Sequence, residues 1–143
     1  MSNLGQVMIG GVLPAFLWGL TAILQKLSAQ SHTPPGQYMA VFGGAICVAG
    51  VIYSLAARDS TFSPPGLAFS ALAGVTFSAG TWLISFTLWK FGTPISRLAP
   101  ILSANVLVTV LIGLFVLHEY VPPVRLIGGA VLIVLGVVLV SGT

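Results

Sequence analysis

Charge is nearly missing from this sequence. Its two acids, Asp59 and Glu119, and its five bases, Lys26, Arg58, Lys90, Arg97 and Arg125, make up 5% of 143 residues, against 57% hydrophobic ones. A soluble domain of this length needs roughly a quarter of its side chains charged to coat its exterior. The mean hydropathy of +1.08 agrees, so lipid rather than water is the solvent. The net charge of +3 does not point to nucleic acid, because each base falls beside a different apolar stretch instead of sharing a face. Cysteine is scarce as well. Cys47 stands alone, which excludes a disulfide within the chain, and in Ala45-Ile46-Cys47-Val48-Ala49 it reads as a small apolar residue. No nucleophile, base and orienting group are assembled, and neither a metal-ligand spacing nor a phosphate-cradling glycine loop occurs. The expectation is therefore no enzyme, no cofactor and no metal. No base precedes the first apolar run, so that run is expected to be retained rather than cleaved as a signal.

What is abundant is apolar length. Breaks in apolarity divide the chain into stretches at about 5–26, 36–57, 66–90, 95–118 and 121–141, each near the ~20 residues a helix needs to cross hydrocarbon. Within lipid only a helix pairs all its own backbone groups. The fold class expected is all-α: a polytopic bundle of about five transmembrane helices forming one domain over residues 1–143. Thr33-Pro34-Pro35-Gly36 and Ser63-Pro64-Pro65-Gly66 read as helix starts, with the hydroxyl available as a cap and the prolines in a first turn that needs no donor. Val121-Pro122-Pro123 precedes the fifth run in the same way. The connections are short, so consecutive helices are antiparallel neighbours. Small residues recur at helix-packing spacing in Gly11, Ala15 and Gly19, in Gly43, Cys47 and Gly50, and in Ser70, Gly74 and Ser78.

With five spans the termini lie on opposite sides of the membrane. The N-terminal side then receives Arg58 and Arg125, and the other side Lys26, Lys90 and Arg97. This near balance gives the insertion machinery little instruction. It predicts copies inserted both ways up and paired as an antiparallel dimer, an inverted repeat made by association.

None of the ionisable groups lies at an expected midplane. Lys26, Lys90, Arg97 and Glu119 end or open segments, where anchoring, pairing or gating are the roles available, and Arg125 or a neighbouring donor is expected to compensate Glu119. Neutral polarity gathers instead on the third and fourth stretches, in Thr76, Ser78, Thr81, Ser85, Ser103, Asn105 and Thr109, with Trp82, Phe86 and Trp89 nearby. Asn105 is the most costly of these in hydrocarbon, and Thr109 shares its helical face. For the hydroxyls the competing reading is a bond back to their own helix. Trp18 and Trp82 lie inside their segments rather than at the ends where interfacial tryptophans gather. A lining of this kind suits a partly apolar or zwitterionic solute.

Trp18-Gly19 in the first stretch, Ala99-Pro100-Ile101-Leu102 and Leu117-His118-Glu119 in and after the fourth, and Gly128 and Gly136 in the last resemble the EamA-type domain of the drug/metabolite transporter superfamily, in its half-size, five-helix bacterial and archaeal form. The resemblance implies a multi-pass protein of a bacterial or archaeal cytoplasmic membrane that exports or exchanges small, possibly amino-acid-like metabolites by alternating access. It also implies obligatory pairing with a second copy or a homologous half-size partner. Carried onto this chain, it favours Trp18, Trp82, Ser85 and Asn105 as substrate contacts, joined by Thr109. The first stretch holds no acid, unlike that of the four-helix multidrug exporters, so proton-coupled export of cationic drugs is not expected. Membrane lipids and a small solute are the expected partners. The alternative reading is an accessory membrane subunit or half of a lipid-head-group flippase.

Overall fold

The computed structural model describes residue 5 and residues 8–57, 63–118 and 123–141, the side chains of 123–127, 140 and 141 excepted. All its regular elements are helices: α1 (Leu13–Gln30), α2 (Pro35–Ala57), α3 (Pro64–Phe91), α4 (Ile95–Leu102), α5 (Asn105–Phe115) and α6 (Pro123–Ser141). Among the described residues there is no strand. Four stretches are long and apolar enough to cross a membrane, Met8–Gln30, Pro35–Ala57, Pro64–Phe91 and Ile95–Phe115, and Gly128–Leu139 forms a shorter apolar helix. The fold is thus a polytopic membrane helix bundle. Its contacts divide it into two units, Met1–Gly92 and Thr93–Thr143.

Proline shapes the helix starts. Pro14 has no amide to give the carbonyl of Gly10, and the backbone before it, Met8–Val12, widens into a π-helical turn that leads directly into α1. Ser63 occupies the N-cap of α3, as the sequence suggests, yet its hydroxyl makes no capping bond. A capping oxygen accepts from the second or third helical amide; Pro65 removes the second, and the third, that of Gly66, receives no bond from it. The hydroxyl lies beside Gly66, 3.3 Å from where a Cβ would stand. The Ser63 carbonyl accepts from Leu67 at 3.0 Å, and Pro34 receives Tyr38 in the same way at 3.1 Å.

Helix α1 continues to Gln30, four residues past the expected end. It closes with the His32 amide on the Ala29 carbonyl (3.1 Å) and the Thr33 amide on that of Ser28 (3.2 Å), a Schellman arrangement. His32 takes the left-handed conformation at φ 60°, the position glycine usually fills. Helix α3 ends on Gly92 with φ 63°, where glycine meets the need without strain.

In the N-terminal unit α3 packs on both α1 and α2, which touch each other far less. Phe77 of α3 stacks on Phe42 of α2 at 6.3 Å, and Phe42 on Tyr38 at 5.4 Å. The small-residue positions do not mediate these contacts. A Cβ added at Gly11, Gly19, Gly43, Gly50 or Gly74 would meet nothing within 4 Å.

In the C-terminal unit α4 packs on α6. The expected fourth span is interrupted at Ser103–Ala104, and the interruption lies beyond Pro100 rather than at it. The Ser103 hydroxyl (3.0 Å) and amide (3.1 Å) both donate to the Ala99 carbonyl. Sharing that acceptor weakens the α-helical bond. The amides of Ala104, Val106 and Leu107 then bond three residues back, to Ile101, Ser103 and Ala104, at 3.0–3.1 Å, the tighter 3₁₀ pattern.

Candidate functional site

Two helices of the N-terminal unit meet through polar rather than apolar groups. Gln25 of α1 is only 7% exposed, and its Nε2 donates to the Ser85 Oγ of α3 at 2.7 Å and more weakly to the Thr81 carbonyl at 3.4 Å. Ser85 is 4% exposed, Thr81 is buried, and Leu88, one turn further along α3, is 2% exposed. A second tie lies at the same end of the pair, where the half-buried Lys26 donates from Nζ to the Gly92 carbonyl at 3.0 Å. A cation there faces the negative end of α3, the favourable pole.

The contact does not extend along the two helices. Residues seven apart share a helical face, so Trp18 lies on the side of α1 that carries Gln25, and Ser78 on the side of α3 that carries Ser85. Trp18 is 74% exposed. Ser78 and Gly74, the next turns of α3 below Thr81, are exposed too. Within this unit α1 and α3 are therefore in polar contact at the Gln25 end, and the faces that continue from that contact toward Trp18 and Ser78 are exposed.

A neighbouring cleft of about 550 Å³ separates α1 from α2, lined by Thr21, Leu24, Ser28 and Thr33 on one side and by Gln37, Tyr38, Val41, Phe42 and Ala45 on the other. Ser28, Thr33, Gln37 and Tyr38 place polar groups toward the α1–α2 connection, and the deeper lining is apolar apart from Thr21. Its size is that of small-molecule sites, and no charged side chain lines it. A second cleft, about 350 Å³ between α5 and α6, is lined only by leucine, valine and alanine, a surface suited to lipid chains or another helix.

The residues singled out from the sequence fall at separate places. Ser85 sits in the polar contact, and Lys26 in the tie beside it. Trp82 is 45% exposed and stacks on Phe86 at 5.4 Å. Lys90 is exposed in the last turn of α3, and Arg97 is exposed in the first turn of α4. Asn105 opens α5 beside the 3₁₀ turn, is exposed, and receives the Thr109 hydroxyl on its carbonyl at 3.2 Å. Glu119, Arg58 and the side chain of Arg125 lie outside the described residues, and with them the expected pairing of Glu119 with Arg125. Several hydroxyls of the spans bond back to their own helix, among them Thr21 to Leu17, Thr76 to Leu72 and Thr87 to Leu83, at 2.9–3.1 Å. Ser85 differs in receiving its partner from another helix.

Sequence reasoning missed Gln25. Its amide carries the same cost in hydrocarbon as that of Asn105. It was overlooked because a helix ending near residue 26 would leave it at the interface, whereas α1 runs more than a turn further.

Apolar helices of spanning length, joined inside the membrane by a buried amide rather than by a soluble core, define a multi-pass membrane protein. Residues 5–142 match the EamA-like transporter family, and the chain belongs to that family. No curated protein and no solved structure matches it. Membership makes it a membrane transporter by class, and contact with lipid and with a small-molecule substrate accords with that.

Proposed function

We propose that this protein carries small, net-neutral or zwitterionic, partly apolar metabolites across a bacterial or archaeal cytoplasmic membrane. It works by alternating access in a dimer whose second unit is another copy inserted the other way up. One observation supports this reading: α1 and α3 are joined by polar bonds at one end, while Trp18 and Ser78 beyond that end are exposed, and on this reading the two helices bound a crevice open toward them. A passage shut at one end and open at the other is one of the two states such a carrier alternates between.

The near-even split of flanking bases supports insertion both ways up. The exposed small-residue stripes and the apolar cleft between α5 and α6 leave surface for a second copy. Trp18 and Trp82 supply apolar contact with the solute, while Asn105 and Thr109 supply hydrogen bonds and Ser85 is held by Gln25. Lys26, Lys90, Arg97 and Glu119 flank the route as gating or anchoring charges. The scarcity of charge along the crevice argues for a solute without net charge, since an ion would enter uncompensated.

The test is transport by the purified protein in tight liposomes, screened with zwitterionic amino acids and neutral metabolites. Uptake above protein-free vesicles is expected for at least one class. Trp18→Ala should lower its apparent affinity roughly tenfold through the lost aromatic contact. Silence across the panel would favour an accessory subunit or half of a lipid-head-group flippase, and unitary currents would mean a channel.

A further inference from the structure

We propose that Gln25 is the latch of this crevice, and that each transport cycle breaks its bond to Ser85 when the shut end opens. The inference rests on the carrier reading and adds to it the bond that the conformational change acts upon. Among the described residues, Gln25, Thr81 and Ser85 are the polar side chains buried most deeply, and they meet at one contact. That contact stops within a turn, because Ser78 is exposed. Parting α1 from α3 breaks the Gln25 bonds, the neighbouring tie from Lys26 to the Gly92 carbonyl and the packing of the two helices beside them.

What makes the contact a latch rather than a permanent rivet is the spacing of its acceptors. Ser85 follows Thr81 by four residues. When Gln25 withdraws, the Ser85 hydroxyl can turn onto the Thr81 carbonyl that Gln25 has just released, as Thr76, Thr87 and Thr109 already do with the carbonyls four residues before them. Helix α3 is thus satisfied in both states. The Gln25 amide is satisfied by Ser85 when shut and by water admitted through the parted end when open. An element with two arrangements, neither leaving a buried orphan, is what an alternating gate requires. An apolar contact at this position would hold the helices together without such an exchange of partners.

The test reads the distance between the two helices by pulsed electron paramagnetic resonance in lipid nanodiscs. Cysteines for spin labels replace Ile23 and Leu83, exposed residues on the outer faces of α1 and α3 at the latch, with Cys47→Ala removing the native thiol. A second pair, at Phe16 and Leu72, reads the open end. Labelled copies are diluted into unlabelled ones, so only pairs within one chain contribute and insertion both ways up does not matter. Gln25→Leu should raise a longer-distance population at the latch pair by roughly three- to tenfold, the loss of one interhelical hydrogen bond, while the open-end pair stays unchanged. Lys26→Met should act in the same direction. An unmoved latch pair in Gln25→Leu, or equal broadening at both pairs, would overturn the latch. Liposome transport by the same proteins separates the two ideas. Transport with an unmoved latch pair would sink the latch and leave the carrier. A parent that moves no solute while its latch pair responds would sink the carrier and leave the parting of α1 from α3 established.

Discussion

Removing either partner of the Gln25–Ser85 hydrogen bond should cost unequal amounts, and the structure sets the order. Ser85→Ala deletes the 2.7 Å acceptor and leaves a buried Gln25 amide with the weaker 3.4 Å bond to the Thr81 carbonyl. A buried donor deprived of its partner costs about 1–3 kcal/mol. Gln25→Leu removes the same bond from the other side, but the Ser85 hydroxyl can rotate onto the vacated Thr81 carbonyl, so no orphan remains. The cost is then only that of an interhelical side-chain bond in a membrane, about 0.6 kcal/mol on average and about 1.7 at most. Ser85→Ala should therefore be the more destabilising substitution, although it removes the smaller side chain. In the double variant no amide needs the missing hydroxyl, and its stability should return to within about 0.5 kcal/mol of Gln25→Leu alone, a non-additivity of roughly 1 kcal/mol. The assay is reversible unfolding in mixed micelles titrated with dodecyl sulfate, followed by tryptophan fluorescence. Additive costs, or a larger loss for Gln25→Leu, would refute the reasoning that α3 can satisfy itself.

Other expectations follow from the helix ends and the interrupted span. His32→Gly should stabilise the protein by about 0.5–1 kcal/mol in the same titration, because a left-handed residue at φ 60° is strained with a side chain and free without one. Gly92→Ala should do the reverse, losing about 1 kcal/mol, since it adds a Cβ at φ 63° to the residue whose carbonyl Lys26 holds. Ser103→Ala should slow amide exchange at Ala104 and Val106, as the Ala99 carbonyl would no longer be shared and the span could close into a continuous helix. A phosphatase or a fluorescent protein fused to the C-terminus, each active on one side of the membrane only, should both give signal. A strong signal from one alone would exclude insertion both ways up.

The helical, membrane-spanning character was legible because in hydrocarbon it follows from apolar length and backbone chemistry alone, with no need to know what packs on what. The candidate site was harder to read. Polar side chains in a span have two ways to be satisfied, and a sequence does not say which one each takes: Thr76 and Thr109 bond to their own helices, while Ser85 receives Gln25. Proline was legible as a helix start, but the caps inferred beside it were not: Pro65 removes the second amide of α3, and α2 begins at Pro35, so Pro34 rather than Thr33 stands at its N-cap. The Ser103–Ala104 turn was foreshadowed by Pro100 and yet falls downstream of it, where a serine competes for its own helix's acceptor.

The same competition accounts for what the α1–α3 contact can do. The Ser85 oxygen accepts from Gln25, while its O–H has a local acceptor in the Thr81 carbonyl, which also holds the Ser85 amide, so the tie to Gln25 is held by a difference smaller than the full cost of an unmet group. That difference is small, and a small difference can be tipped by a solute's binding energy. Had Gln25 met an alanine-lined face of α3, parting the helices would have left its amide as the only polar group to re-solvate and nothing on α3 to take up the exchange. Placing Ser85 four residues after Thr81 converts a buried polar contact, ordinarily a fixed point in a membrane protein, into one that α3 can release while keeping an acceptor for its own hydroxyl.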